Sequence, residues 1–194
     1  MTLRTLDEKE IVAFPHIGDF ETWLQKHHKH SPGLWVRFYK KGSNIKSVTY
    51  SEALDSALCY GWIDSQVKKY DEQSYIQRFS PRGKKSMWSV VNRKHIARLT
   101  REGRMQPAGI AAVTAAKKDG RWQKAYLPSS QAHIPLDLKK VIDKSPVLKA
   151  YVATLSRANI YYIFFQLTTA KKPETRARRL EKILLHLRAG KKWH

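Results

Sequence analysis

Apolar and polar positions alternate with two different periods along this chain. Leu34, Val36 and Phe38 alternate with Trp35, Arg37 and Tyr39, which is the period of a strand. From Trp62 to Tyr70 the alternation returns, with Ile63 and Val67 on one face and Trp62, Asp64, Gln66 and Lys68 on the other. Asp71-Glu72-Gln73 turns the chain and Tyr75 to Phe79 runs back, so a β-hairpin is predicted. Its second face carries Trp62 and Asp64 with either Arg78 or Gln77, because a one-residue slip exchanges the two.

Between and after these strands the period becomes helical. Phe20, Trp23, Leu24 and His27 stripe a first helix, with Asp19 as its expected N-cap. Thr49 and Glu52 have capping-box spacing; Leu54, Ala57 and Leu58 follow as a buried stripe, and Gly61 supplies a left-handed stop. Ser89 is the expected N-cap of a helix using Val91, His95, Ile96 and Leu99, and Pro107 opens another through Ile110 and Val113. Beyond the prolines at 128 and 135 the sequence reads as helices only. One starts at Ser145-Pro146, one is striped by Ile160, Ile163, Phe164 and Leu167, and the last runs from Pro173 with Ala177, Leu180, Ile183, Leu184 and Leu187 buried.

The pattern therefore predicts an α+β fold, with a small, mainly antiparallel sheet of about three strands covered by helices. The expected division is an α+β core over residues 1–127 and a helical portion over 128–194.

Composition sharpens this picture. Forty-two per cent hydrophobic residues, with six Trp, nine Tyr and six Phe, suffice to fill a core and exclude a disordered chain. There is no apolar run long enough to span a bilayer, and the charged stretch 1–10 does not resemble a secretory signal. The single cysteine, Cys59, excludes an internal disulfide framework and a cysteine zinc cluster. These features lead us to expect a cytoplasmic location. The net charge of +21 points to an anionic partner, either a small molecule or nucleic acid.

Three segments carry candidate chemistry. The loop Lys40-Lys41-Gly42-Ser43-Asn44 offers two cations and backbone amides to an anion, without the spacing of a phosphate-binding Walker loop. Ser80 to Ser89 sets Arg82, Lys84 and Lys85 around Trp88 just before a helix start. Arg176 falls inside the apolar stripe of the last helix, where a guanidinium needs a partner, either a structural Asp or a bound anion. No nucleophile elbow, metal motif or Gly-rich nucleotide loop is present, so no cofactor is expected and no catalytic set is assigned. Asp64 beside Trp62 is the best candidate for acid–base work, with a salt bridge or turn cap as its structural alternative.

Several stretches resemble the YdeI/OmpD-associated, or bacteriocin-protection, family. They are T-Y-S-E-A-L-D-S-A-L-C-Y-G-W-I-D from Thr49 to Asp64, R-F-S-P-R from Arg78, S-M-W-S from Ser86 and N-R-K-H-I-A-R-L-T-R-E-G-R-M-Q-P-A-G from Asn92. D-G-R-W from Asp119 and A-K-K-P-E-T-R-A-R-R from Ala170 complete the set. The resemblance implies a link to envelope stress and antimicrobial-peptide resistance, and no agreed activity. Combined with the residues above, it leads to one expectation with two alternatives. The first is a binding protein in which Trp62, Asp64, Arg78, Arg82, Trp88 and Arg176 line a pocket for an anionic small molecule. The alternatives are a nucleic-acid binder using the basic surface and a small enzyme using Asp64.

Overall fold

The computed structural model describes residues 4–6 and 9–193, with side chains from residue 11 onward. The reading of residues 1–10 as lacking an export signal falls largely outside that range. The fold is α+β. Its five-stranded sheet has the order β1-β2-β3-β5-β4, where β1 is Arg4–Leu6, β2 Lys9–Val12, β3 Leu34–Tyr39, β4 Trp62–Lys69 and β5 Ser74–Pro81. The two N-terminal strands are additions to the expected three: each has at most four residues, too few to show an alternation. Within this sheet β2 and β3 pair in parallel, and β1 with β2, β3 with β5 and β4 with β5 pair antiparallel.

The chain divides into two compact units, residues 1–88 with 92–124, and residues 89–91 with 125–194. In the first, α1 (Ile17–His27) and α2 (Tyr50–Cys59) bury Phe20, Trp23, Leu24, Ala53 and Ala57 with Leu34, Val36, Phe38 and Phe79 of the sheet. The N-cap of α1 is His16, three residues before the expected one. Asp19 instead takes the third helical position, and its carboxylate accepts from the His16 amide at 3.1 Å. At α2 the expected cap is found: Thr49 Oγ1 accepts from Glu52 N and Glu52 accepts from Thr49 N.

The opposite sheet face holds Ile11, Trp35 and Ile76, roofed by long cations: Lys68 lies 5.2 Å over Trp35, and Arg37 lies between Tyr39 and Tyr70. Two more helices, α3 (Val90–Arg101, whose first two residues belong to the second unit) and α4 (Pro107–Lys118), follow. Their expected stripes shift: Asn92, Ile96 and Leu99 are buried in α3 and Val113 in α4, whereas Val91 and Ile110 are exposed.

The second unit is built from α5 (Leu136–Asp143), α6 (Pro146–Ala153), α7 (Arg157–Thr168) and α8 (Pro173–Arg188). Their shared core joins Leu138, Ile142, Leu148, Ile163, Leu167, Ile183 and Leu187. Ala177 of α8 and Val147 of α6 lie outside it, exposed to solvent. Near the C-terminus, Trp193 stacks on both Tyr162 and His186 at 5.3 Å, and its amide donates to Asn159 Oδ1 at 2.8 Å. Among the described residues, no helix is long and apolar enough to cross a membrane.

Candidate functional site

Register decides which of the sequence candidates meet. Trp62 pairs with Pro81 and Asp64 with Phe79, but Val67 pairs with Gln77: three steps on β4 match two on β5. This bulge reverses the alternation of β4 beyond Asp64. It turns Val67 to the face of Gln77, where it is exposed, and turns Lys68 over Trp35. Gln77, rather than Arg78, therefore shares the face of Trp62 and Asp64, and its Nε2 donates to Asp64 Oδ2 at 3.0 Å. Arg78 stands on the opposite face, across from Trp35, and donates to Pro32 O at 3.0 Å.

The other candidates are placed as follows. Trp62 is 1% exposed; it belongs to the core, edge-on to Trp23, and its Nε1 donates to His28 O. Trp88 is equally buried, but it meets Arg82, whose guanidinium carbon stacks 3.6 Å from the ring centroid. Arg82 also donates from Nη1 to Met87 O, and its amide donates to Gly61 O. Arg176 belongs to the second unit, where it pairs with Asp137 at 2.8 Å. Arg179 beside it donates to Gln166 O at 2.8 Å, so this basic run closes the carbonyl end of α7.

A groove that the sequence marked only in part lies beside the loop at residues 40–49. It encloses about 670 Å³ and opens between that loop, the end of β3 and β5, within the ordinary range of small-molecule sites. Phe38, Tyr39, Tyr50 and Tyr75 supply its aromatic surface, and Lys40, Lys41 and Lys46 its charge. Tyr75 stacks on Phe38 at 5.3 Å and Tyr50 meets the same ring edge-on. The loop is pinned at both ends: Lys40 N donates to Gln73 O, Tyr39 N to Ser47 Oγ and Val48 N to Phe14 O. Asn44 takes the left-handed turn with φ 56°.

Among the described residues none of the three lysines is in an ion pair. The nearby helix amides are less available, because the Thr49–Glu52 capping box already engages that end of α2. The hydrogen bonds from Thr49 also hold the Glu52 carboxyl below its ordinary range, which keeps it charged. Asp64 reaches the groove indirectly, since Tyr50 donates its hydroxyl to Asp64 Oδ2 at 2.9 Å.

A model described as "Domain of unknown function (DUF8412)" matches residues 12–112, a little over half of the 194 residues. The chain belongs to that family. A second model, described as "Bacteriocin-protection, YdeI or OmpD-Associated", matches residues 131–190, within the helical second unit. Of the quoted stretches, those from Thr49 to Gly109 lie in the first match, Ala170 to Arg179 lies in the second, and Asp119 to Trp122 lies in neither. Neither a curated protein nor a solved structure matches the chain.

Proposed function

We propose that this protein binds an anionic small molecule bearing an aromatic or otherwise flat ring, and that the groove beside the 40–49 loop is where it does so. One observation carries the reading: three lysines without carboxylate partners stand around an aromatic-walled groove of about 670 Å³. The ring stacks on Tyr50 or Tyr75 while the anionic end takes charge-assisted hydrogen bonds from the lysines. Of the six residues singled out from sequence, Asp64 supports this groove by holding Tyr50, and none of the others lines it. Arg82 stacked on Trp88 keeps the cation-and-indole pairing, but on a buried ring. In this reading the protein works in the cytoplasm, consistent with its lone unpaired Cys59. The bacteriocin-protection description of the second domain makes resistance to antimicrobial peptides the physiological setting to examine first.

The test is a thermal-shift and calorimetric screen with nucleoside phosphates, aromatic phosphates and sulfonates, using sulfate as the ionic control. At least one ring-bearing anion should stabilise the protein beyond sulfate. Replacing Lys40, Lys41 and Lys46 together by Gln should weaken it by about tenfold for each charged hydrogen bond lost, at roughly 1.5 kcal/mol each. Equal binding by the triple variant would refute this site.

A further inference from the structure

A second cluster of cations gathers elsewhere in the first unit, around Trp122. Arg93 of α3 lies 5.3 Å from the centroid of this ring and Lys117 of α4 lies 5.6 Å from it. The ring is half-buried and meets the edge of Trp88 at 4.9 Å, behind which Arg82 stacks. The loop at 83–88 is held here from the other side: Arg121 donates from Nη1 to Ser86 O at 3.0 Å while pairing with Asp119 at 2.7 Å. Two stretches far apart in sequence, Arg82 to Trp88 and Asp119 to Trp122, thus converge on one pair of indoles.

The charge balance of this cluster is one-sided. Asp119 is committed to Arg121, and among the described residues neither Arg93 nor Lys117 has a carboxylate partner. Both nevertheless share one ring, at 5.3 and 5.6 Å from its centroid, so two like charges gather at one indole. Lys117 has a partial reason to be there, since it lies in the last turn of α4, where a cation suits the helix dipole. Arg93 has none: it sits in the first turns of α3, the end at which a cation is disfavoured, and that first turn holds no acidic residue. The indole quadrupole attracts each cation but does not neutralise either. A bridging anion would.

We propose that Arg93, Lys117 and Trp122 form a phosphate-binding site, distinct from the groove, that takes a phosphoryl group between the guanidinium and the ammonium. Arg93 supplies the planar pair of donors suited to two phosphate oxygens. Lys117 acts as a point charge on a third oxygen. Trp122 holds both side chains extended before the anion arrives, so less rotamer freedom is lost on binding. The phosphoryl group can belong to a free nucleotide or pyrophosphate, or to the backbone of single-stranded nucleic acid; the recognition chemistry is the same.

The test uses the full chain, titrated in parallel with inorganic pyrophosphate and with a short single-stranded oligonucleotide, at low and at physiological salt. Binding should shift the Trp122 indole N–H resonance, assigned from its loss in Trp122→Phe. It should weaken by at least tenfold in the Arg93→Gln, Lys117→Gln double variant, and persist in the Lys40, Lys41 and Lys46 triple variant. Tighter binding of pyrophosphate identifies a free-phosphate site, whereas tighter binding of the oligonucleotide with a steep salt dependence identifies a backbone site. If neither probe moves the Trp122 resonance of the wild-type protein, or if a folded double variant binds as well as wild type, the proposal is overturned. The wild-type resonance shift decides the matter even if the double variant does not fold.

Discussion

Replacing Gly109 by Ala tests how the two stretches C-Y-G-W and Q-P-A-G fit together. A Cβ built on Gly109 would stand 2.1 Å from Cys59 O and 2.8 Å from the carbonyl carbon of Cys59. Ordinary contact begins near 3.4 Å, so the last turn of α2 or the first of α4 would have to retreat by more than an ångström. Cys59 O also accepts from Gln106 N at 3.1 Å, a bond that this retreat breaks. Met105 Cε, at 2.9 Å, can rotate aside and adds little. Overpacking costs about 1–3 kcal/mol and the lost hydrogen bond about 1 kcal/mol. The better helix propensity of Ala returns about 1 kcal/mol. The net destabilisation is about 1–3 kcal/mol, which lowers the melting temperature by roughly 2–12 °C in a chain of this length. Gly18→Ala is the matched control: it sits in α1 with nothing within 4 Å of its built Cβ, and should raise stability by a few tenths to about 1 kcal/mol. Calorimetry of both variants checks the argument. A Gly109→Ala protein that melts with or above wild type would show that the close approach of α2 and α4 is not as described.

Two further expectations concern titratable groups of the first unit. Asp55 is buried, which pushes its carboxyl up, but hydrogen bonds from Arg98 at 2.5 Å and His95 at 2.7 Å outweigh this and hold it below the ordinary value. The unfolded chain therefore takes up this proton first as pH falls, so the contribution is present above about pH 4 and is lost through the lower folded value. Asp55→Asn should cost about 1–3 kcal/mol at pH 7 and flatten the stability profile below pH 5; urea titrations across pH 3–7 that run parallel for the two proteins would contradict it. Burial pushes the Cys59 thiol up to about 11, so it should resist a disulfide reagent at pH 8 until urea unfolds the protein; full reaction under native conditions would refute its burial.

What the sequence revealed depended on whether the signal was local. The cap and stop of the element from Thr49 to Gly61 were legible because neighbours within one helix set them, whereas the burial of Asp55, Ser56 and Cys59 outside the Leu54, Ala57 and Leu58 stripe depends on packing from elsewhere in the chain. Leu138 and Ile142 bury one side of α5, but a helix of eight residues is too short to show a repeated stripe. The face shared by Trp62 and Asp64 stayed undecided because a bulge near Asp64 leaves no mark in the residue types. Trp62 and Trp88 looked like ligand-facing aromatics but are core, since an indole satisfies either role and only packing tells them apart. The groove was half visible: Lys40 and Lys41 stood out as a basic loop, whereas Tyr50 and Tyr75 reach it from α2 and β5, and pairing across a sheet cannot be read from a single strand. Arg176 was recognisable as an inward cation needing a partner, and Asp137 supplies it from a helix that the pattern did not show.

The groove itself is tested most directly by mapping resonances of the protein as a ring-bearing phosphate is added. Shifts should concentrate at residues 38–50 and at Tyr75, saturate with one ligand, and weaken when Lys40, Lys41 and Lys46 are all replaced by Gln. Saturable shifts that centre elsewhere, or shifts at these residues that survive loss of all three lysines unchanged, would contradict it.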